Sequence, residues 1–196
     1  AIIDYDAGNI RSVEKALLAL GQNVIVTADR DEILHADKVI LPGVGAFGDA
    51  MEKLKQSGLD EVIREVTEKG TPFLGICLGL QLLFESSEES PGVKGLCLLP
   101  GKILRIPEAP GLKVPHMGWD SIEDLRGPLF DGLDAGAYVY YVHSYAPQTN
   151  ADTIARTTYG ETFSAAIRRD NFFGTQFHPE KSASVGERIL QNFLRL

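Results

Sequence analysis

A chain of 196 residues with 44% hydrophobic content can bury one substantial core and is short for two independent ones. Its formal net charge of −8, with Lys and Arg scattered rather than gathered into runs, argues against nucleic acid as a partner. The most apolar stretch, Phe73 to Phe84, is interrupted by Gly75, Gly79 and Gln81 and falls short of the ~20 residues that span a bilayer, so no membrane association is expected.

The first half alternates short β-branched runs with amphipathic helical patterns, the signature of βα units on a mostly parallel sheet. Ile2-Ile3 opens a strand. Ile10, Val13, Leu17 and Leu20 then recur at helical spacing, with Asp6 and Asn9 as capping candidates and Gly21 as the stop. Val24-Ile25-Val26 and Val39-Ile40-Leu41 are the second and third strands. Two helices follow, carried by Phe47, Met51 and Leu54 and by Leu59, Val62, Ile63 and Val66, with Gly70 ending the second before Pro72. Phe73-Leu74-Gly75-Ile76 is a buried strand, and Leu80, Leu83 and Phe84 mark a helical run after it. Residues 86–133 read as irregular β structure and turns. Order returns at Tyr138 to Val142. Phe163 to Ile167 and Phe172 to Gln176 form a hairpin around Arg169-Asp170-Asn171, and Val185, Ile189, Leu190, Phe193 and Leu194 make the closing helix.

Gly75-Ile76-Cys77-Leu78-Gly79 sets a nucleophile-type residue between two glycines, after an apolar strand and before a helical run, which is the context of a nucleophile elbow. Such a turn holds its central residue in strained geometry and presents its side chain, while unpaired amides at the helix start favour a thiolate. The pentapeptide alone is equally an ordinary tight turn around a buried cysteine. Cys97 reads as a small buried hydrophobe. No charged leader with an apolar segment opens the sequence, although the missing initiator Met leaves open that a processed segment was lost, so the cytoplasm is the default expectation and, in that reducing compartment, no disulfide is expected.

His178-Pro179-Glu180 supplies a possible partner. Proline keeps the residue before it extended, so residues 178 and 180 project from one side of the chain. Glu180 can then accept from one ring nitrogen of His178 while the other faces the thiol, as a base and its orienting acid require. On its own the tripeptide is more often a surface turn than a catalytic pair. Elbow and tripeptide both end predicted strands, where open α/β sheets gather their ligand-binding residues.

The loop Pro42-Gly43-Val44-Gly45-Ala46-Phe47-Gly48 contains G-x-G-x-x-G after a strand, the nominal dinucleotide fingerprint. The acidic residue that should follow about 20 positions on, at the end of the next strand, is missing: that strand ends at Cys77. The same loop can instead place Gly43, Val44 and Gly45 beside the thiol as one wall of an oxyanion hole, with the Leu78 amide as the other donor. Glycines either side of Val44 would let its peptide reorient, leaving the hole incomplete until a partner or its ligand is bound.

With Gly75-x-Cys77-x-Gly79-x-Gln81 and Gln176-Phe177-His178-Pro179-Glu180 in hand, the chain resembles the class I (triad) glutamine amidotransferases. Among them it is most similar to the glutaminase subunits of imidazole glycerol phosphate synthases of histidine biosynthesis, through Ile3-Asp4-Tyr5 with Gly8-Asn9, Pro42 to Phe47, Val114-Pro115-His116-Met117-Gly118-Trp119 and Tyr141-Val142-His143-Ser144-Tyr145. It departs from that pattern at Asp6, where Gly is common, and at Asp120, where Asn is usual. The resemblance implies one α/β domain over residues 1–196, a mostly parallel, mixed central sheet with helices on both faces in flavodoxin-like layering. It makes Cys77 the nucleophile, His178 the base and later the acid, and Glu180 its orienter. Gly45, Gln81, His143, Ser144 and Tyr145 would line a glutamine pocket. It also implies a (β/α)8-barrel cyclase subunit as heterodimer partner, receiving the ammonia, with Asn9, Met117 and Trp119 as interface candidates. No cofactor and no metal is expected. Blander readings stand beside these: Gln81 as a helix-surface residue, Tyr140, Tyr141 and Tyr145 as core aromatics, Met117 and Trp119 as core packing, His35 and His116 as structural or interface residues. The competing functions are the glutaminase of another pathway such as anthranilate synthesis, a γ-glutamyl hydrolase, a dinucleotide-binding module and a catalytically silent interaction subunit.

Overall fold

The computed structural model describes residues 1–196. In chain order the elements are β1 (Ile2–Ile3), α1 (Ile10–Ala19), β2 (Val26–Thr27), α2 (Arg30–His35), β3 (Val39–Leu41), α3 (Phe47–Ser57), α4 (Leu59–Lys69), β4 (Phe73–Ile76) and α5 (Leu78–Gln81). There follow β5 (Ser86–Ser87), β6 (Lys102–Arg105), β7 (His116–Ile122), β8 (Ala137–His143), β9 (Tyr145–Pro147), β10 (Thr153–Tyr159), β11 (Glu161–Arg169), β12 (Phe172–Thr175) and α6 (Ala183–Leu194).

Seven strands form the central sheet in the order β10-β11-β12-β4-β3-β1-β2. The five from β12 to β2 run parallel, and β11 and β10 add antiparallel at one edge. β3, β4 and β12 are buried along their whole length and correspondingly apolar, as expected of strands covered on both faces. One face packs against α2, α3 and α4 through residues such as Ile33, Leu54 and Ile63; the other packs against α1 and α6 through Val13, Leu17, Ile189 and Phe193. Gly58 adopts φ 71 between α3 and α4, ending one helix and admitting the next where a side chain would be strained.

The parallel-sheet reading, the two helices after β3, the β11–β12 hairpin and the closing helix are all present. Cys97, expected as a small buried hydrophobe, is exposed, and the helical run after β4 ends at Gln81, short of Leu83 and Phe84. Other features differ from the sequence reading or are resolved more finely than it. The second strand forms at Val26–Thr27 rather than 24–26, because register with Ile2 and Ile3 selects those residues. Tyr138 to Val142 does become a strand, but it pairs with β7 in a separate two-stranded ribbon and not in the central sheet. The stretch 86–133 holds β5, β6 and β7, whose pairing partners lie far away in sequence and leave little local pattern. Asn9 does stand at the N-cap of α1, but its side chain makes no capping bond there. No helix is long and apolar enough to cross a membrane.

Candidate active site

β4 and β12 lie side by side with Ile76 opposite Thr175, so the segments leaving their C-terminal ends are neighbours. From β4 the chain turns at Cys77 with φ 55 and ψ −109, a strained conformation that projects the thiol at the start of α5. The two glycines of the elbow are explained by close approach. A Cβ on Gly75 would sit 2.7 Å from the Gly79 carbonyl oxygen, and one on Gly79 would overlap the Leu41 carbonyl oxygen of β3.

From β12 the chain passes through Gln176 and Phe177 to His178, whose backbone is extended at φ −98 and ψ 99, as the following proline requires. Its amide donates to the Tyr140 carbonyl at 3.0 Å, and its carbonyl accepts from the Ser182 hydroxyl at 2.6 Å. Behind the short turn Pro179–Lys181, Gly186 lets α6 pack directly on the Pro179 carbonyl, where any Cβ would collide. The turn is thereby fixed from both sides. His178 Nδ1 lies 2.7 Å from Glu180 Oε1, with both side chains essentially unexposed. Asn9 Nδ2 donates to the same Oε1 at 2.5 Å.

Burial disfavours charge on His178, but hydrogen bonding and charge at Cys77 and Glu180 more than reverse this and push its pKa up to about 10. Nε2 nevertheless has no partner of good hydrogen-bond geometry, so its relation to the sulfur is one of proximity and charge. Such bonds in unliganded sites tighten as substrate arrives. The imidazolium thus holds an Nε2 proton in a buried position with nothing yet to receive it.

The sulfur opens onto a cavity of about 320 Å³. Gly45, Gln81, His143, Ser144 and Tyr145, each expected in the pocket, all line it, together with Val44 and Leu78. Gln81 is not a helix-surface residue: it is buried and donates to the Tyr145 carbonyl and to Gln176 Oε1, both at 3.0 Å. Gly43 contributes differently from the expectation. Its carbonyl accepts the Leu78 amide at 3.3 Å, so the two elements of the expected oxyanion hole are bonded to each other and the Leu78 donor is occupied. Tyr141 is core, with its hydroxyl bonded to Thr157 and its pKa driven upward by burial.

The interface candidates separate. Met117 and Trp119 are 63% and 52% exposed on the outer face of the β7–β8 ribbon, beside Tyr138 at 58%. Asn9 instead turns its side chain inward to the Glu180 carboxylate.

Two features escaped the sequence reading. Glu89 is the acidic side chain in the cavity wall, and it also accepts the Phe47 amide at 3.1 Å; burial raises its pKa, with the amide opposing. No local signal marks it, since Glu88-Glu89-Ser90 reads as a polar turn. His116 is buried and bonded to His143, which only the pairing of β7 with β8 reveals. A larger cavity of about 770 Å³ lies at the opposite, N-terminal end of the parallel strands, and neither cysteine lines it.

Residues 1–196 match the model of the family described as glutamine amidotransferase class-I. The imidazole glycerol phosphate synthase subunit HisH of Moorella thermoacetica is 55% identical over 196 residues, covering 98% of this chain and 92% of that protein. The HisH subunit of Methanocaldococcus jannaschii is 48% identical over 197 residues, covering 100% and 98%. Among solved structures, a chain of PurLQS from Thermotoga maritima superposes with a TM-score of 0.73 at 20% identity, covering 99% of this chain and 96% of that one, a likeness of fold.

Proposed function

The chain belongs to the class I glutamine amidotransferases and, within them, to the HisH subunits of imidazole glycerol phosphate synthase, and from that premise we propose the following site chemistry. The protein is a glutaminase of histidine biosynthesis, hydrolysing glutamine to glutamate and ammonia. The whole of residues 1–196 acts as one glutaminase domain in the cytoplasm.

The Cys77 sulfur attacks the side-chain carbonyl carbon of glutamine, and the carbonyl electron pair moves onto oxygen. His178 gives its Nε2 proton to the amide nitrogen, the C–N bond breaks, and ammonia leaves with a γ-glutamyl thioester on Cys77. His178 then takes a proton from water, whose oxygen attacks the thioester; the C–S bond breaks and glutamate departs. Glu180 keeps the proton on Nδ1 throughout, so that Nε2 is the nitrogen that exchanges protons. Glu89 suits the α-ammonium group of the substrate, being the acidic group in the wall.

The oxyanion needs donors that this resting geometry withholds. Rotation of the Gly43–Val44 peptide would release the Leu78 amide and turn the Val44 amide inward, supplying two donors in one movement. Gly43 brings no Cβ to one side of that peptide, and Val44 on the other side is 39% exposed, which leaves room for the rotation. A cyclase subunit of (β/α)8 form, docking as heterodimer on the exposed Met117, Trp119 and Tyr138 face, is the partner that would favour the rotated state and receive ammonia.

The observation that carries this reading is a positive-φ cysteine whose sulfur shares one buried site with a carboxylate-paired histidine, on the wall of the cavity. A glutamate-release assay with and without the cyclase and its nucleotide ligand tests it: turnover should require Cys77 and rise with the complete complex. Turnover surviving in Cys77→Ser would overturn it.

A further inference from the structure

Beneath the β7–β8 ribbon, on the face away from Met117 and Trp119, a run of side chains leads from Asp120 to the nucleophile. Asp120 Oδ2 lies 3.0 Å from His116 Nε2, and His116 Nδ1 lies 2.8 Å from His143 Nε2. His143 Nδ1 lies 2.9 Å from the Tyr145 carbonyl, which also accepts from Gln81 Nε2 at 3.0 Å. Gln81 Nε2 donates as well to Gln176 Oε1 at 3.0 Å, and Gln176 Nε2 points to the Cys77 sulfur at 3.7 Å.

Donor and acceptor rules fix where the protons are. A carbonyl only accepts, so His143 carries its proton on Nδ1. Burial, joined by repulsion from His116 and His178 and only partly opposed by the Tyr145 bond, holds His143 down to about 3, so it is neutral and its Nε2 accepts. His116 must then donate from Nδ1. Its Nε2 faces a carboxylate oxygen, and a bond there needs one further proton between His116 and Asp120. His116 lies flat between two tyrosine rings, with centroids 4.7 Å from Tyr141 and 3.8 Å from Tyr159, an arrangement that favours a cationic ring. Asp120 is partly exposed and its Oδ1 accepts the Ser121 amide at 2.8 Å, which suits a carboxylate. Burial is the largest influence on His116 and holds its pKa below the ordinary value, with the charge and hydrogen bond of Asp120 pulling the other way; the case for the Nε2 proton is the bond geometry, not that direction. The titratable groups around His116 are Asp120 on its own strand, His143 and Tyr141 on β8, and Tyr159 on β10.

We infer that Asp120 and His116, as a buried imidazolium–carboxylate pair, are positioning residues for the glutamine pocket: their shared proton fixes the His143 tautomer and with it the Tyr145 carbonyl and Gln81. Gln176 joins the same run to the sulfur and is its third positioning residue. Neither His116 nor Asp120 touches substrate. The consequence is a pocket wall that holds its shape while the pair keeps its proton and loosens as rising pH removes it.

The kinetic arm of the test rests on the glutaminase reading; the spectroscopic arm does not. The chain has four histidines, so imidazole ¹⁵N resonances can be assigned with single His→Gln variants. Both ring nitrogens of His116 should carry a proton at pH 7, and in Asp120→Asn, where the carboxamide can donate to Nε2, only Nδ1 should. In the complex with cyclase, the KM for glutamine of the unaltered chain should rise about three- to tenfold, the worth of one hydrogen bond, over the pH range in which His116 loses its Nε2 proton. Asp120→Asn should show no such rise, and Asp120→Leu should have a raised KM at every pH. A bare His116 Nε2 at pH 7 in the unaltered chain overturns the inference, as does the same pH dependence of KM with and without the Asp120→Asn change. Absence of ammonia release from the unaltered complex would instead count against the glutaminase reading, leaving the ¹⁵N result to decide the pair.

Discussion

Replacing Glu180 by Gln changes charge with almost no change of shape, and the structure specifies which way the carboxamide must face. Oε1 of Glu180 accepts from His178 Nδ1 at 2.7 Å and from Asn9 Nδ2 at 2.5 Å, whereas Oε2 is buried with no partner. A glutamine oxygen at the Oε1 position keeps both donors; its NH2 then fills the Oε2 position, unsatisfied, at a cost of about 1–3 kcal/mol. The opposite orientation would set an NH2 against two donors and is worse. Asn9 therefore enforces the correct tautomer of His178 even without the carboxylate. The loss in Glu180→Gln reduces to the difference between a charged and a neutral bond, about 1–1.5 kcal/mol, or roughly 5- to 13-fold in kcat/KM for glutamine. A wrong tautomer costs about 10⁴-fold. Adding Asn9→Gly, which suits the positive φ of 73 at that position while removing the amide, frees the carboxamide to rotate. The double variant should fall towards the larger figure, well beyond the product of the single effects. Steady-state glutamate release in the presence of cyclase measures this. A 10⁴-fold loss in Glu180→Gln alone, or no further loss on adding Asn9→Gly, would refute the role given to Asn9.

Gly79→Ala puts a methyl group onto the Leu41 carbonyl, backbone against backbone, so overpacking of about 2–3 kcal/mol should lower Tm by roughly 5–10 °C in a thermal melt. Glu89→Gln keeps an acceptor for the Phe47 amide but removes the negative charge, so KM for glutamine should rise about tenfold or more with kcat little changed, while Tm stays within about 2 °C. The folded-state pKa of His178, about 10, lies above its ordinary 6.5, so its contribution to stability is complete below pH 6.5 and is lost as pH rises through about 10. Denaturant titrations at pH 7 and pH 10 should show a larger drop in unfolding free energy for the unaltered chain than for His178→Gln.

The legible parts of this molecule were those with a local cause. Gly75 and Gly79 bracket Cys77 because neighbouring backbone leaves no room for a Cβ, and Pro179 sets the extended geometry of His178; both constraints are written in adjacent residues. The apolar runs of β3 and β4 likewise announce a sheet covered on both faces. What stayed hidden depends on contacts across long stretches of chain. Asn9 looks like a helix cap until the fold carries Glu180 to it across 171 positions. His116 resembles a stray structural histidine until β7 pairs with β8 and sets it against His143. Glu89 enters the pocket only because its turn packs on the first amides of α3. The bond from the Leu78 amide to the Gly43 carbonyl is a choice between two peptide orientations, which two flanking glycines permit but do not decide.

Covalent capture of the nucleophile is the most direct trial of the account. The chain in complex with cyclase would be treated with a glutamine-shaped diazoketone and examined by intact mass and peptide mapping. One adduct is expected, on buried Cys77, with exposed Cys97 unmodified and the rate of labelling sharply reduced in His178→Gln. Labelling at Cys97 alone, or labelling of Cys77 at the same rate without the imidazole, would contradict it.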